Sequence, residues 1–379
     1  WGFSLTLLLL ILLVANLPLS HASNAPTIET LGLPGYSRTF ADPTDIAVLP
    51  DKSLLILDRD KYTIFRLVGN ELTQFADFKR NFPSYFTGDE PCAMDSNRSG
   101  DVFVVNCSQT TIYRFSPNGN LIKSISVQKL GVTDRGFDWG GGLAVDSNSN
   151  VFLTDEKNSL ILKINTTMET TEVYAGKSGI QGQDNGFRLQ ATFNLPRGLA
   201  IDQQDNLFIG DYSSGRIRKI GSNGQVSTLD SEVCLPTAID IDSQGNLIVV
   251  SEYFCGSRIT KISLGGSSST ILDDSAESVG NVPWALVGKP ILGADSNIGI
   301  KVLAGVEQKS DTYVVTDGKN GSVKYFDTNG KLIRIVGGTD VFGVNKYPKQ
   351  TPVFNSPGAI YPLSDGTFLR SEEHTSELQ

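Results

Sequence analysis

The stretch from Phe193 to Leu229, "FNLPRGLAIDQQDNLFIGDYSSGRIRKIGSNGQVSTL", states a pattern that the chain repeats along most of its length. A Pro opens an apolar strand, a polar turn follows, and a second apolar strand ends in Asp. A third strand, a Gly turn and a fourth strand complete the unit. Looser copies read "PTDIAVLPDKSLLILDRDKYTIFRLV" from Pro43, "GGLAVDSNSNVFLTDEKNSLILKIN" from Gly141 and "PTAIDIDSQGNLIVVSEYFCGSRITKIS" from Pro236. A four-strand unit recurring at roughly 40–50 residues specifies a β-propeller. The predicted fold class is therefore all-β, built of four-stranded antiparallel blades.

The second strands mark the units: "SLLILD" (Ser53–Asp58), "DVFVVN" (Asp101–Asn106), "NVFLTD" (Asn150–Asp155), "NLFIGD" (Asn206–Asp211), "NLIVVS" (Asn246–Ser251) and "DTYVVTD" (Asp311–Asp317). A seventh begins at Gly366–Leu369. The runs are continuously apolar, as expected of strands covered on both faces by neighbouring blades. Six complete units and the start of another leave six or seven blades open. The turns before these strands, such as Asp242–Asn246 and Asp146–Asn150, carry Asp, Asn and Gly, which suit tight turns. A calcium-loop reading of Asp240–Asn246 lacks the terminal Glu of that motif, so turn chemistry is the expectation. Asp58, Asp155, Asp211 and Asp317 end equivalent strands. One per blade implies a structural task, the bonding of loop N–H groups.

Residues 1–22 read as a secretory signal peptide: an apolar run from Ser4 to Leu19, then Ser20-His21-Ala22 as a cleavage site. The run is short for a membrane span. Residues 23–369 form the propeller. The last ten residues, 370–379, "RSEEHTSELQ", have no strand alternation and interrupt a unit; they resemble a translated sequencing-adapter oligonucleotide and are expected to be non-native. The natural C-terminus is then unseen, so membrane association through a further segment stays undetermined.

The net charge is −9. Residues 1–22 carry no charged side chain, and residues 370–379 set Arg370 against Glu372, Glu373 and Glu377, which leaves −7 over residues 23–369. An acidic domain without a Lys/Arg cluster excludes general nucleic-acid binding, which rests on phosphate neutralisation. The most basic stretch, "RIRKI" at Arg216–Ile220, reads as the solvent side of a strand.

Four cysteines permit three pairings. The repeat chooses among them: Cys92 and Cys234 stand where first strands begin, Cys107 and Cys255 just after second strands end. Antiparallel neighbours bring these places together, predicting disulfides Cys92–Cys107 and Cys234–Cys255, each stabilising by ~3 kcal/mol. Together with the signal peptide they imply an extracellular or secretory-pathway location. Glycosylation acceptors Asn-x-Ser/Thr occur at Asn97, Asn106, Asn165 and Asn320, with Asn165 and Asn320 ranked first.

From Tyr174 to Ile220 the match to a known repeat becomes specific. Asp184–Gly186, Ala191-Thr192-Phe193, Pro196-x-Gly198, Asp211 and the closing Arg-Ile-Arg-Lys-Ile resemble the NHL repeat of the six-bladed TolB-like superfamily, with looser matches over residues 40–369. The segment Ala25–Leu33 looks like a lone outer strand that completes the last blade and fastens the ring.

The only histidines are His21 and His374, so residues 23–369 hold none. This excludes Ser-His-Asp triads and His-ligated zinc there. The resemblance therefore does not bring the His-zinc chemistry of NHL-type amidating lyases, nor that of His-dependent lactonases. One enzymatic class survives, gluconolactonase-like hydrolases with calcium held by oxygen ligands in the central channel. Asp45, Glu90 and Asp138 are the candidate metal ligands. The leading expectation is a binding scaffold rather than an enzyme, with no required cofactor, taking a protein or glycan partner through one rim of loops. That rim gathers the long entrances Gly136–Gly142, Lys177–Arg197 and Asp273–Val302. Phe137, Trp139, Arg197, Tyr253 and Trp284 are its candidate anchors. The alternatives are the calcium-dependent hydrolase and a truncated receptor ectodomain.

Overall fold

The computed structural model describes residues 27–29, 40–81, 90–106, 111–126, 142–251, 258–273, 300–303, 311–317, 321–337, 357–362 and 368–372. Six sheets follow one another along the chain. Blade one comprises β2 (Pro43–Val48), β3 (Leu54–Asp58), β4 (Thr63–Val68) and β5 (Glu71–Asp77), and a one-turn helix, Phe78–Asn81, follows it. Blade two runs from β6 (Pro91–Ser96) through β7 (Val102–Asn106) and β8 (Thr111–Phe115) to β9 (Leu121–Ser126). Blade three holds β10 (Leu143–Val145), β11 (Val151–Asp155), β12 (Leu160–Ile164) and β13 (Thr171–Ala175). Blade four holds β15 (Pro196–Ile201), β16 (Leu207–Asp211), β17 (Arg216–Ile220) and β18 (Gln225–Glu232), with the short β14 (Gly186–Phe187) on its outer edge. Blade five is β19 (Pro236–Ile241), β20 (Leu247–Ser251), β21 (Arg258–Ile262) and β22 (Ser268–Asp273). Blade six is β23 (Ile300–Leu303), β24 (Thr312–Asp317), β25 (Ser322–Phe326) and β26 (Leu332–Gly337).

The second strands explain the apolar runs. Every residue of β3, β7, β11, β16 and β20 is buried. Successive side chains point to opposite faces, and each face meets a different neighbour. Leu55 and Leu57 pack with Met94, Val102 and Val104 of blade two, while Leu54 and Ile56 pack with Val314 and Val323 of blade six. The core is thus divided among the seams. Separate apolar clusters join blades one and two, two and three, three and four, four and five, five and six, and six and one.

That last cluster decides the number of blades. First strands touch in sequence from β2 to β23, and β23 touches β2 again. Thr316 Oγ1 of blade six donates to the Thr44 carbonyl of blade one at 3.3 Å. The ring closes after six blades. The N-terminal strand β1 (Thr27–Glu29) lies on the outer edge of blade six, as a parallel fifth strand against Arg334–Val336. It covers a blade that already has four strands, rather than completing one.

The seventh unit stands apart as a two-stranded sheet of β27 (Pro357–Pro362) and β28 (Phe368–Glu372). Its register repeats that of blade one: Pro357 faces Glu372 as Pro43 faces Asp58, with a bulge at the same step. The strand extends through Arg370, Ser371 and Glu372, where no strand is expected from the side-chain pattern. Ladder hydrogen bonds are made by the backbone, which the alternation of side chains does not alter.

Candidate functional site

Strand direction puts the loops that enter first strands and leave second strands on one rim, and the tight turns on the other. At the loop rim, the strand-end carboxylates hold neighbouring backbone. Asp58 accepts N–H groups from Ala41 at 2.7 Å, Asp42 at 3.1 Å and Lys61 at 3.2 Å. Asp155 accepts the N–H of Asn158 at 3.1 Å and its side-chain Nδ2 at 2.8 Å. Asp211 accepts the Asn194 N–H at 2.5 Å, and Asp317 pairs with Lys324. Asp58, Asp155 and Asp211 thus bond loop N–H groups, as expected of the repeated strand-end residues, whereas Asp317 holds a buried cation.

Burial pushes the carboxyls of Asp58, Asp155 and Asp211 above their ordinary value, against the pull of these hydrogen bonds. A raised folded-state value means that the folded chain holds the proton more tightly than the unfolded chain. The contribution to stability is fully present below the unfolded value of 3.8 and is lost as pH rises through the folded value. Melting temperatures of the native chain and of Asp58→Asn, followed from pH 3 upward, should therefore converge as pH increases. A native advantage that grows with pH would contradict this sign.

Two ion-pair groups cross the seams on this rim. Arg197 donates to both oxygens of Glu156 in blade three, at 3.0 and 3.1 Å, and its guanidinium lies 3.6 Å from the centre of the Tyr212 ring. Arg59 pairs with Asp42 at 2.5 Å and stands 3.5 Å from Glu90. Arg197, read from sequence as a partner anchor, is therefore engaged within the seam, its side chain only 13 % exposed. Glu156 and Tyr212 were not singled out, although each directly follows a strand-end Asp, a place the repeat assigns to this rim. Phe137, Trp139, Tyr253 and Trp284 lie outside the described residues.

Of the three candidate metal ligands, Asp45 and Glu90 are described, and each has a partner within the protein. Asp45 Oδ1 accepts its neighbour's N–H, from Ile46, at 2.8 Å, and Oδ2 accepts the Met94 N–H of blade two at 2.7 Å. Asp95 repeats the device, accepting the Val145 N–H of blade three at 3.1 Å. First strands are inner edges, and these carboxylates satisfy N–H groups on the next inner edge. Glu90 faces Arg59 instead, and Asp138 lies outside the described residues. Among the described residues no three His, Cys, Asp or Glu side chains could hold a metal ion. Asp45→Ala should cost about 1–3 kcal/mol by orphaning the Met94 N–H, read as a lower urea midpoint that calcium does not restore.

On the opposite rim, the turns of the Asp242 type are closed from within. Asp242 Oδ1 accepts N–H groups from Gln244 at 2.9 Å and Asn246 at 2.7 Å. Asp146 and Asp202 do the same within their own turns.

Blade four departs furthest from the sequence reading. Arg218, in the stretch assigned to solvent, is fully buried. Its Nη1 donates to the Thr192 carbonyl at 2.8 Å and to Asp211 Oδ2 at 3.2 Å. Its Nη2 donates to the Asp184 carbonyl at 2.8 Å and to Asn185 Oδ1 at 3.0 Å. One guanidinium thus fastens the long loop between β13 and β15. Beside it, Gly198 lets β15 approach β19: a Cβ there would lie 3.0 Å from the Thr237 carbonyl oxygen and from Ala238 Cα.

Neither described cysteine, Cys92 or Cys234, is a free thiol; Cys107 and Cys255 lie outside the described residues. Cys92 and Cys234 do not occupy the matching places that the repeat suggested. Cys92 sits in the bulge just after Pro91, which faces Asn106, whereas Cys234 precedes the matching Pro236, which faces Ser251. Asn97 and Asn106 are 7 % and 3 % exposed, and the Asn97 amide is engaged with Ser99, Asp101 and Ser149. Asn165 is half-buried on a turn, its Oδ1 accepting N–H groups from Glu169 and Thr170. Asn320 lies outside the described residues.

Among solved structures, a streptogramin B lyase matches with TM-score 0.54 and 15 % identity, over 90 % of this chain and 93 % of that one. This chain is a six-bladed β-propeller. The propeller is likewise similar to a gluconolactonase from Xanthomonas campestris, with TM-score 0.51 and 12 % identity over 74 % of this chain and 85 % of that one. Such identities speak for the fold alone. By sequence, the propeller is 24 % identical over 148 residues to a probable peptidyl-alpha-hydroxyglycine alpha-amidating lyase of Caenorhabditis elegans. That match takes in 36 % of this chain and 41 % of the relative, so the chain spans well under half the length of the curated relative it matches. No family model matches the chain. These neighbours are in keeping with the propeller fold read from the repeats. A virginiamycin B lyase from Staphylococcus aureus is similar in fold, with TM-score 0.52 and 14 % identity over 80 % of this chain and 85 % of that one.

Proposed function

We propose that the propeller is a secreted, disulfide-braced scaffold that binds a protein or glycan partner through its loop rim. The observation that carries this reading is the state of its acidic groups: Asp45 already accepts two backbone N–H groups, and Glu90 faces Arg59. Carboxylates occupied in this way support a rigid frame better than a metal-activating centre. The signal peptide, the pairings Cys92–Cys107 and Cys234–Cys255, and glycans at Asn165 and Asn320 belong to the same proposal. The fold likeness to a gluconolactonase makes a calcium-dependent hydrolase the reading to test against it.

The test uses the full chain expressed through a secretory host. Calcium content and turnover of simple lactones are measured first. Stoichiometric calcium together with turnover lost on Asp45→Ala or Glu90→Gln substitution would overturn the scaffold. Partners cross-linked to the purified chain in extracellular fluid are then mapped by mass spectrometry. Cross-links confined to the loop side are expected; cross-links on the tight-turn side would refute the rim. Non-reducing peptide maps should show both disulfides.

A further inference from the structure

We draw no further inference here: the strongest candidate, the half-buried pair Leu195 and Leu235 that precede the first-strand prolines of blades four and five on the loop rim with positive φ of 55° and 45°, is an apolar surface patch, and nothing in the structure shows what covers it.

Discussion

Arg218→Met is expected to destabilise the propeller by about 3–5 kcal/mol, the cost of removing one partner from a buried ion pair. The side chain is fully buried, as is Asp211, 3.2 Å away. Methionine fills much of the volume but donates nothing. Asp211 would be left without its cation, and the carbonyls of Thr192 and Asp184 without their donor. Because three of the four acceptors belong to the loop before β15, loss should be local before it is global. Proteolysis should cut between Gly182 and Asn194 under conditions that leave the native chain intact, and the urea midpoint should fall. Arg218→Lys tests the charge separately: a single ammonium cannot reach four acceptors in two directions, so the loop should still be cut. An unchanged proteolytic pattern in both variants would show that the guanidinium does not hold the loop.

The second large effect is expected at Phe40. Phe40→Ala should cost about 3–5 kcal/mol, as for a fully buried aromatic side chain whose cavity cannot collapse. Its ring meets Phe65 edge-on at 5.7 Å and belongs to the cluster that joins blade one to Val314, Val323 and Val336 of blade six. Gly321 and Gly337 press against this residue; a Cβ on either would lie 2.6 Å from the Phe40 carbonyl oxygen or 2.7 Å from its ring. Hydrogen exchange should accelerate first in β2, β3, β24 and β25, on both sides of the closing seam. Uniform acceleration around the ring would argue that the seam is no weaker than the others.

Much of the fold was legible because burial on two faces leaves a strong trace. Runs such as "LLILD" and "LFIGD" can be continuously apolar only where a neighbour covers each side. The closure after six blades was not legible. It depends on β23 meeting β2, a contact between the most distant parts of the ring that no local pattern encodes. Alternation within "RIRKI" alone places Arg218 on the solvent side, whereas the residue is fully buried. Aligned on the strand-end Asp, its position corresponds to Phe65, Tyr113 and Leu162, all core residues, so the repeat itself held the signal. Arg197 was located on the correct rim, but its engagement by Glu156 depends on a side chain from another blade. The carboxylate of Asp45 was noticed as a candidate ligand; its partner, a backbone N–H of blade two, carries no side-chain signature at all.

The partition of the apolar interior into six seam clusters has a consequence for how damage spreads. Each wedge of the disc lends half of its oily side chains to the wedge before it and half to the wedge after, and keeps none to itself. Two lesions on opposite sides of the disc should then simply sum, whereas lesions in adjoining wedges compete for one shared layer and should deviate from a sum.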